Sequence, residues 1–315
     1  MAKDGERILI TGGAGYLGSV LVPLLLKKGY HVTAIDNFFY GQHSLLDVCH
    51  HKNLKLIRGD ARNRTLLKEE LKGVQAIFPL ACLTGAPISD RFPTEARSVN
   101  LEAVKLILEL RAPEQKIIFP TTNSGYGIGE KGIHCTEKTP LNPISHYGRL
   151  KVEAEKAILE SGTSITLRLA TVFGISPRMR LDLLVNDFVY RALHDGFLVL
   201  FESHFKRNYL HVRDAAAAFI HALENFETMK GEPYNVGLSD ANLSKKELCL
   251  EIKKQLPKFY FVEAEIGEDM DKRNYIVSNA KIEATGFKPV VSLAEGIAEL
   301  IKGYQIIKSR GFSNV

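Results

Sequence analysis

The stretch RILITGGAGYLGSVLVPLLLKKG (7–29) constrains the fold more than any other part of the chain. A short apolar run, a glycine loop and an amphipathic segment in that order predict a strand, a tight turn and a helix. Gly12 permits the turn, Gly15 lets a pyrophosphate approach the backbone, and Gly18 lets helix and strand pack closely. The helix N-terminus adds unpaired N–H groups and the positive end of its dipole, which suit phosphates.

Similar apolar runs recur as HVTAID (31–36), LKLIRGD (54–60), VQAIFPLA (74–81), KIIFPTT (116–122) and ITLRLATVFG (165–174). Helical patterning fills the gaps, as in EARSVNLEAVKLILELR (95–111). The alternation predicts an α/β fold, a Rossmann-type doubly wound parallel sheet covered on both faces. After Gly174 the rhythm changes, and the helix NDFVYRALHDG, the strand FLVLFE and the helix AAAAFIHALENF (215–226) follow without regular alternation. The expected organisation is therefore a dinucleotide-binding domain over 1–175, with 208–228 packing back on it. A smaller, interleaved C-terminal lobe that binds substrate takes most of 176–315.

With 315 residues, 45% hydrophobic and 24% charged, the chain can bury a sizeable core. No signal peptide or membrane-spanning run is expected, so the reading is a soluble cytoplasmic protein. Cys49, Cys82, Cys135 and Cys249 lie far apart, which suits reduced thiols. The net charge of +5 comes from scattered basic residues, not the clustered face that a nucleic acid requires. The histidines form no zinc-spaced set, and no metal is expected.

Asp36, at the end of the second strand, follows the glycine loop by about twenty residues, where an acid binds the adenosine ribose hydroxyls. A carboxylate there repels a 2′-phosphate and favours NAD over NADP. Asp60 closes the third strand and either meets the adenine amino group or caps the helix of ARNRTLL. Tyr147 and Lys151 in HYGRLK are four residues apart and share a helix face, as a solvated pair or as a catalytic one. For catalysis, the phenol must lose about three units from a pKa of about 10, roughly 4 kcal/mol of stabilisation. Lys151 and a nicotinamide cation are the expected sources.

TGGAGYLG, Asp36, GD at 59–60, PLA at 79–81, TTNSGYG, YGRLK and LRLATVFG, in this order, resemble the extended short-chain dehydrogenase/reductases. The likeness is to their NAD-dependent sugar-nucleotide epimerases, dehydratases and dehydrogenases, and it runs through nearly the whole chain. It implies NAD contacts from Gly12, Gly15, Tyr16, Leu17, Asp36, Asn37, Asp60, Ala61, Leu80, Ala81, Tyr147 and Lys151. It also implies that Thr122, five residues before Gly127, hydrogen-bonds the sugar hydroxyl at C4 while Tyr147 takes its proton. Lys151 would also hold the nicotinamide ribose. Gly125 stands where the family usually has valine.

The dehydratase branch places Asp-Glu directly after this Thr, and Asn123-Ser124 stand there instead. Neither supplies a full proton, so loss of water is disfavoured and C4 oxidation or epimerisation remains. For the substrate, the resemblance implies contacts from Thr84, Asn123, Ser124, Arg180, Asn186, Arg207 and Arg273. Asn186 would meet the diphosphate or cap a helix; Arg207 and Arg273 would fork the phosphates or form surface pairs. Arg178 and Arg180 would close over the nucleotide or face solvent. NSGYGIGE, LRLATVFGISPRMRLDLLVNDF, FKRNYLHVRD and GEDMDKRNYIVSNAKIEATGFKP resemble a narrower group, the GDP-heptose 4-dehydrogenases. That implies GDP-D-glycero-α-D-manno-heptose as substrate in capsular heptose biosynthesis. The alternatives are a nucleotide-sugar 4-epimerase and a non-catalytic NAD-sensing regulator. Relatives pair through two helices, here about 95–111 and 147–161, so a homodimer or higher homo-oligomer is expected, although the same apolar positions also suit burial within one monomer.

Overall fold

The computed structural model describes residues 5–264 and 272–307, so MAKD and the GEDMD part of the last quoted stretch lie outside it. Seven parallel strands form one sheet in the order Pro233–Val236, Ser164–Leu169, Lys116–Thr122, Ala76–Pro79, Arg7–Thr11, His31–Asp36 and Leu54–Arg58. Side chains alternate faces along each strand. Ile8 and Ile10 join one core with Leu21, Val22 and Leu25 of the helix Gly18–Lys27 and with Ala215 and Phe219 of the helix Val212–Glu224. Leu9, between them, joins the opposite core with Val104, Ile107, Leu150, Ala154 and Ile158. A sheet covered on both faces follows, and its central strand Ala76–Pro79 is buried at every position.

The apolar positions in 95–111 and 147–161 are thus largely used inside the monomer. Their outer surfaces carry ion pairs such as Lys105–Glu153 at 3.1 Å and Arg97–Glu102 at 3.3 Å.

The run ITLRLATVFG is two strands, not one. Ser164–Leu169 belongs to the large sheet, whereas Thr171–Phe173 pairs with Lys206–His211 in a separate three-stranded sheet. Both sheets need apolar residues there, so hydrophobicity continues unbroken across the junction at Ala170. The C-terminal half also returns to the first: Val212–Glu224 packs beside Gly18–Lys27, and Pro233–Val236 forms the outer strand against Ser164–Leu169. The remaining lobe is built around Phe173, Val185, Val189, Tyr209, Leu248, Ile297 and Leu300. No helix among the described residues is long and apolar enough to cross a membrane.

Candidate functional site

The C-terminal ends of the large sheet's strands open onto a cavity of about 600 Å³. It lies where the strand order reverses, between Arg7–Thr11 and Ala76–Pro79, the place where such sheets bind ligands. Gly12, Gly15, Tyr16 and Leu17 line one wall. Gly12 has φ +74°, and a Cβ there would stand 2.6 Å from the Ala81 backbone nitrogen. At Gly18 a Cβ would lie 2.6 Å from the carbonyl oxygens of both Gly12 and Gly13, so the loop can coil tightly only around bare glycine. The helix Gly18–Lys27 begins at this wall without a side-chain cap; Ser19 N and Val20 N donate to Gly15 O (2.9 Å) and Leu17 O (3.1 Å), so what the helix end offers a phosphate is chiefly its dipole.

Asp36 stands on the same wall, and donors hold its carboxylate from both sides. Oδ2 accepts from Ala14 N (3.0 Å), and Oδ1 accepts from Phe38 N (2.8 Å) and Gln42 Nε2 (3.2 Å). Burial raises its pKa, and these donors with Arg178 oppose the rise. Asn37, Ala61, Leu80 and Ala81 also line the cavity. Asp60 lines it too, gripped by the Arg62 guanidinium, which holds its carboxyl below the usual range. The reading of Asp60 as a helix cap is corrected: Asn63 caps Arg64–Glu70, accepting from Leu66 N at 3.1 Å. The glycine cradle, the helix end and the acid on the same cavity wall together fit NAD.

Further along, the cavity holds Thr84, Thr122, Ser124, Tyr147, Lys151, Arg180 and Arg273. Thr122 ends the strand Lys116–Thr122; its hydroxyl donates to Ser124 Oγ (2.9 Å) and accepts from Ser124 N (3.1 Å). Ser145 caps the helix His146–Glu160 by accepting from Gly148 N at 3.0 Å, a bond worth about 1 kcal/mol. That cap fixes the first turn, and with it Tyr147. Lys151, one turn on, lies with Nζ 3.8 Å over the Phe119 ring, and burial lowers its pKa.

Arg180 and Arg273 join the cations expected to act on Tyr147. Burial pushes the phenol up, and the neighbouring Cys82 thiol, hydrogen-bonded to it, adds to the rise. The cations that pull it down are Arg180 and Arg273, while Lys151 faces Phe119. Arg180 pairs with Asp182 and donates to the Thr84 carbonyl at 3.2 Å, whereas Arg273 donates to Ser124 Oγ.

Three expected substrate residues are absent from the cavity wall. Asn186 is wholly buried in the first turn of Leu184–His194, neither capping it nor facing a ligand. Its side chain accepts from Gly174 N (2.9 Å) and donates to Arg180 O (2.8 Å) and Tyr16 Oη (3.3 Å), so it ties the 174–186 loop in place. Arg207 is 2% exposed on the strand Lys206–His211, with its guanidinium 5.7 Å over the Tyr275 ring. Asn123 is 1% exposed, turned into the protein beside Thr122. It opens the 3₁₀ turn Asn123–Tyr126, where the chain leaves the strand and turns this side chain away from the cavity.

Cys82 had no sequence signal, and for Arg178 the sequence left open whether it closes over the nucleotide or faces solvent. Cys82 lines the cavity against Tyr147. Arg178 reaches across the cavity to stack 4.2 Å over Tyr40, joining segments far apart in the chain. Among the described residues, no group of three or more His, Cys, Asp or Glu is placed to hold a metal.

Comparison with known proteins adds to this geometry. Residues 8–237 match the NAD dependent epimerase/dehydratase family. The chain is 30% identical over 317 residues to the uncharacterized UDP-glucose epimerase YtcB of Bacillus subtilis, covering 94% of this chain and 96% of that protein. It is 26% identical over 314 residues to UDP-glucuronic acid decarboxylase 1 of Arabidopsis thaliana, covering 95% of this chain and 70% of that one. Among solved structures, UDP-glucose 4-epimerase of Thermotoga maritima with UDP-glucose superposes with a TM-score of 0.82 at 25% identity, covering 95% of this chain and 99% of that one. An NAD-fitting cavity, the parallel sheet and these matches agree: the chain belongs to the NAD dependent epimerase/dehydratase family of nucleotide-sugar-modifying enzymes.

Proposed function

We propose that this protein oxidises C4 of a nucleoside-diphosphate sugar, with GDP-D-glycero-α-D-manno-heptose as the preferred substrate. It would do so as a cytoplasmic homo-oligomer in surface-polysaccharide heptose biosynthesis. The observation that carries the reading is one cavity that holds Thr122, Tyr147 and Lys151 together with the glycine loop. In the reaction, C4 loses a hydride and its hydroxyl loses a proton, leaving a ketone. NAD, when bound, supplies the hydride acceptor. Tyr147 takes the proton, and Arg180 and Arg273 stabilise the phenolate against burial. Ser124, the neighbour of Thr122 that faces the cavity, carries no carboxyl to expel water. The choice of GDP-heptose rests on the resemblance of the longer stretches.

A second reading is a 4-epimerase that returns the hydride to the other face of the ketosugar. The similarity to the Thermotoga UDP-glucose 4-epimerase favours it. Purified protein mixed with NAD and GDP-heptose or UDP-glucose separates the two. A ketosugar with stoichiometric NADH supports oxidation; an epimer without net NADH sinks it. No turnover with any sugar revives the NAD sensor. Tyr147→Phe should abolish turnover while NAD stays bound, and retained activity would remove Tyr147 as base.

A further inference from the structure

The hydroxyl pair Thr122 and Ser124 has a defined polarity. The Thr122 hydroxyl spends its proton on Ser124 Oγ (2.9 Å) and accepts from the Ser124 N–H (3.1 Å). Ser124 Oγ also accepts from an Arg273 guanidinium N–H. A serine oxygen has two lone pairs and one proton. With both lone pairs taken, Ser124 retains only its own proton to offer, and its oxygen is polarised by a cation. Thr122 is left with one lone pair. Both residues line the cavity beside Tyr147. Thr122 therefore acts toward a ligand as an acceptor, and Ser124 acts as a donor.

We propose that Ser124 is the group that donates to the substrate oxygen on the reacting carbon, and that Arg273 is a positioning residue acting through Ser124, not a diphosphate ligand. The inference rests on the C4-oxidation reading. As the C4 hydroxyl yields its proton to Tyr147, its oxygen gains negative charge. A donor already aimed at that oxygen, and made more acidic by a guanidinium, binds the charge-bearing state more strongly than the starting alcohol. Thr122 receives the hydroxyl's single proton in a hydrogen bond as the sugar binds, and that proton turns to Tyr147 for the transfer while Ser124 keeps the oxygen in place. The arrangement places Arg273 at the reacting end of the cavity, where it also faces the Tyr147 phenol.

The test uses the full chain with NAD, with GDP-heptose and UDP-glucose as probes and NADH absorbance as the readout. Ser124→Ala and Arg273→Gln should each lower kcat by about 10²-fold with KM little changed, as loss of one donor to a developing oxyanion does. The double variant should be slower than Ser124→Ala by less than the loss that Arg273→Gln causes alone, because part of the arginine's effect passes through the serine and the rest through the Tyr147 phenol. Arg273→Lys should recover part of the rate. A raised KM with intact kcat in Arg273→Gln, the signature of a phosphate ligand, overturns the proposal. So do multiplicative losses in the double variant. If the wild-type protein oxidises no nucleotide sugar, the C4 reading has failed, and the crystal structure of Arg273→Gln decides the relay. A Ser124 hydroxyl released from Thr122 supports it, and an unchanged Ser124 rotamer refutes it.

Discussion

Replacing Gly12 with alanine tests whether the cofactor wall is set by backbone contact. Its φ of +74° lies in the left-handed region, where a Cβ costs about 1–2 kcal/mol. The new methyl would also stand 2.6 Å from Ala81 N and 2.8 Å from Ala81 Cα, about 0.8 Å short of ordinary contact. These are backbone atoms at the end of a buried strand, so the neighbour cannot rotate away. Overpacking of this kind costs about 1–3 kcal/mol. The combined loss is about 2–5 kcal/mol, which lowers Tm by roughly 3–8 °C in a chain of 315 residues. Gly231 provides the control: its φ is +82°, with nothing within 4 Å of a Cβ. Gly231→Ala therefore carries only the conformational cost. The assay is Tm by calorimetry on both variants, with NAD affinity by titration. Gly12→Ala should lose more Tm than Gly231→Ala and should alone weaken NAD. Equal Tm losses with unchanged NAD affinity would refute the contact argument.

His211 should make the fold acid-sensitive. The residue is fully buried, its Nδ1 accepts from Arg213 N at 3.2 Å, and burial pushes its pKa from 6.5 down to about 4. Between those values the unfolded chain binds the extra proton, so stability rises with pH through the window and is lost as pH falls. The gap is worth about 3 kcal/mol. His211→Asn, which can keep the cap, should flatten the fall in Tm between about pH 7 and about pH 5; parallel curves would show that other groups cause it. Arg168 forks Glu155 at 2.6 Å with side-chain exposures of 6% and 3%, and donates to Tyr126 Oη at 3.0 Å. Arg168→Met strands a buried carboxylate and should cost about 3–5 kcal/mol in denaturant unfolding, and adding Glu155→Leu should recover most of it. A single-variant loss below about 1 kcal/mol would mean that water reaches the pair.

The parts of this molecule that were legible in the sequence are those with a local cause. Four of the first five strands announce themselves by an apolar run, because a strand buried on both faces needs apolar side chains in either direction, and the half-exposed edge strand Leu54–Arg58 shows a weaker version of it. Tyr147 and Lys151 could be paired from their spacing, because a helix fixes where residues four apart lie. The junction at Ala170 was invisible because both sheets that meet there are apolar. Asn186 and Arg207 were misplaced for a related reason. Residue type and position announce a polar group, but its direction depends on partners such as Gly174 and Tyr275, which only the fold brings near. Cys82 against Tyr147 has no sequence signal, and Arg178 could be named without its partner Tyr40, since nothing local requires either contact.

The return of Pro233–Val236 to the outer side of Ser164–Leu169 bears on how this chain can be cut. A fragment ending near residue 175 would contain every glycine and acid of the NAD wall, yet its last strand would present a bare row of N–H and C=O groups. Six buried residues, SITLRL, would lie along that open edge. Such an edge recruits other chains. Soluble fragments of the cofactor half would therefore have to carry the segment up to Val236, and a simple cut between lobes would yield a sticky sheet instead of a working half.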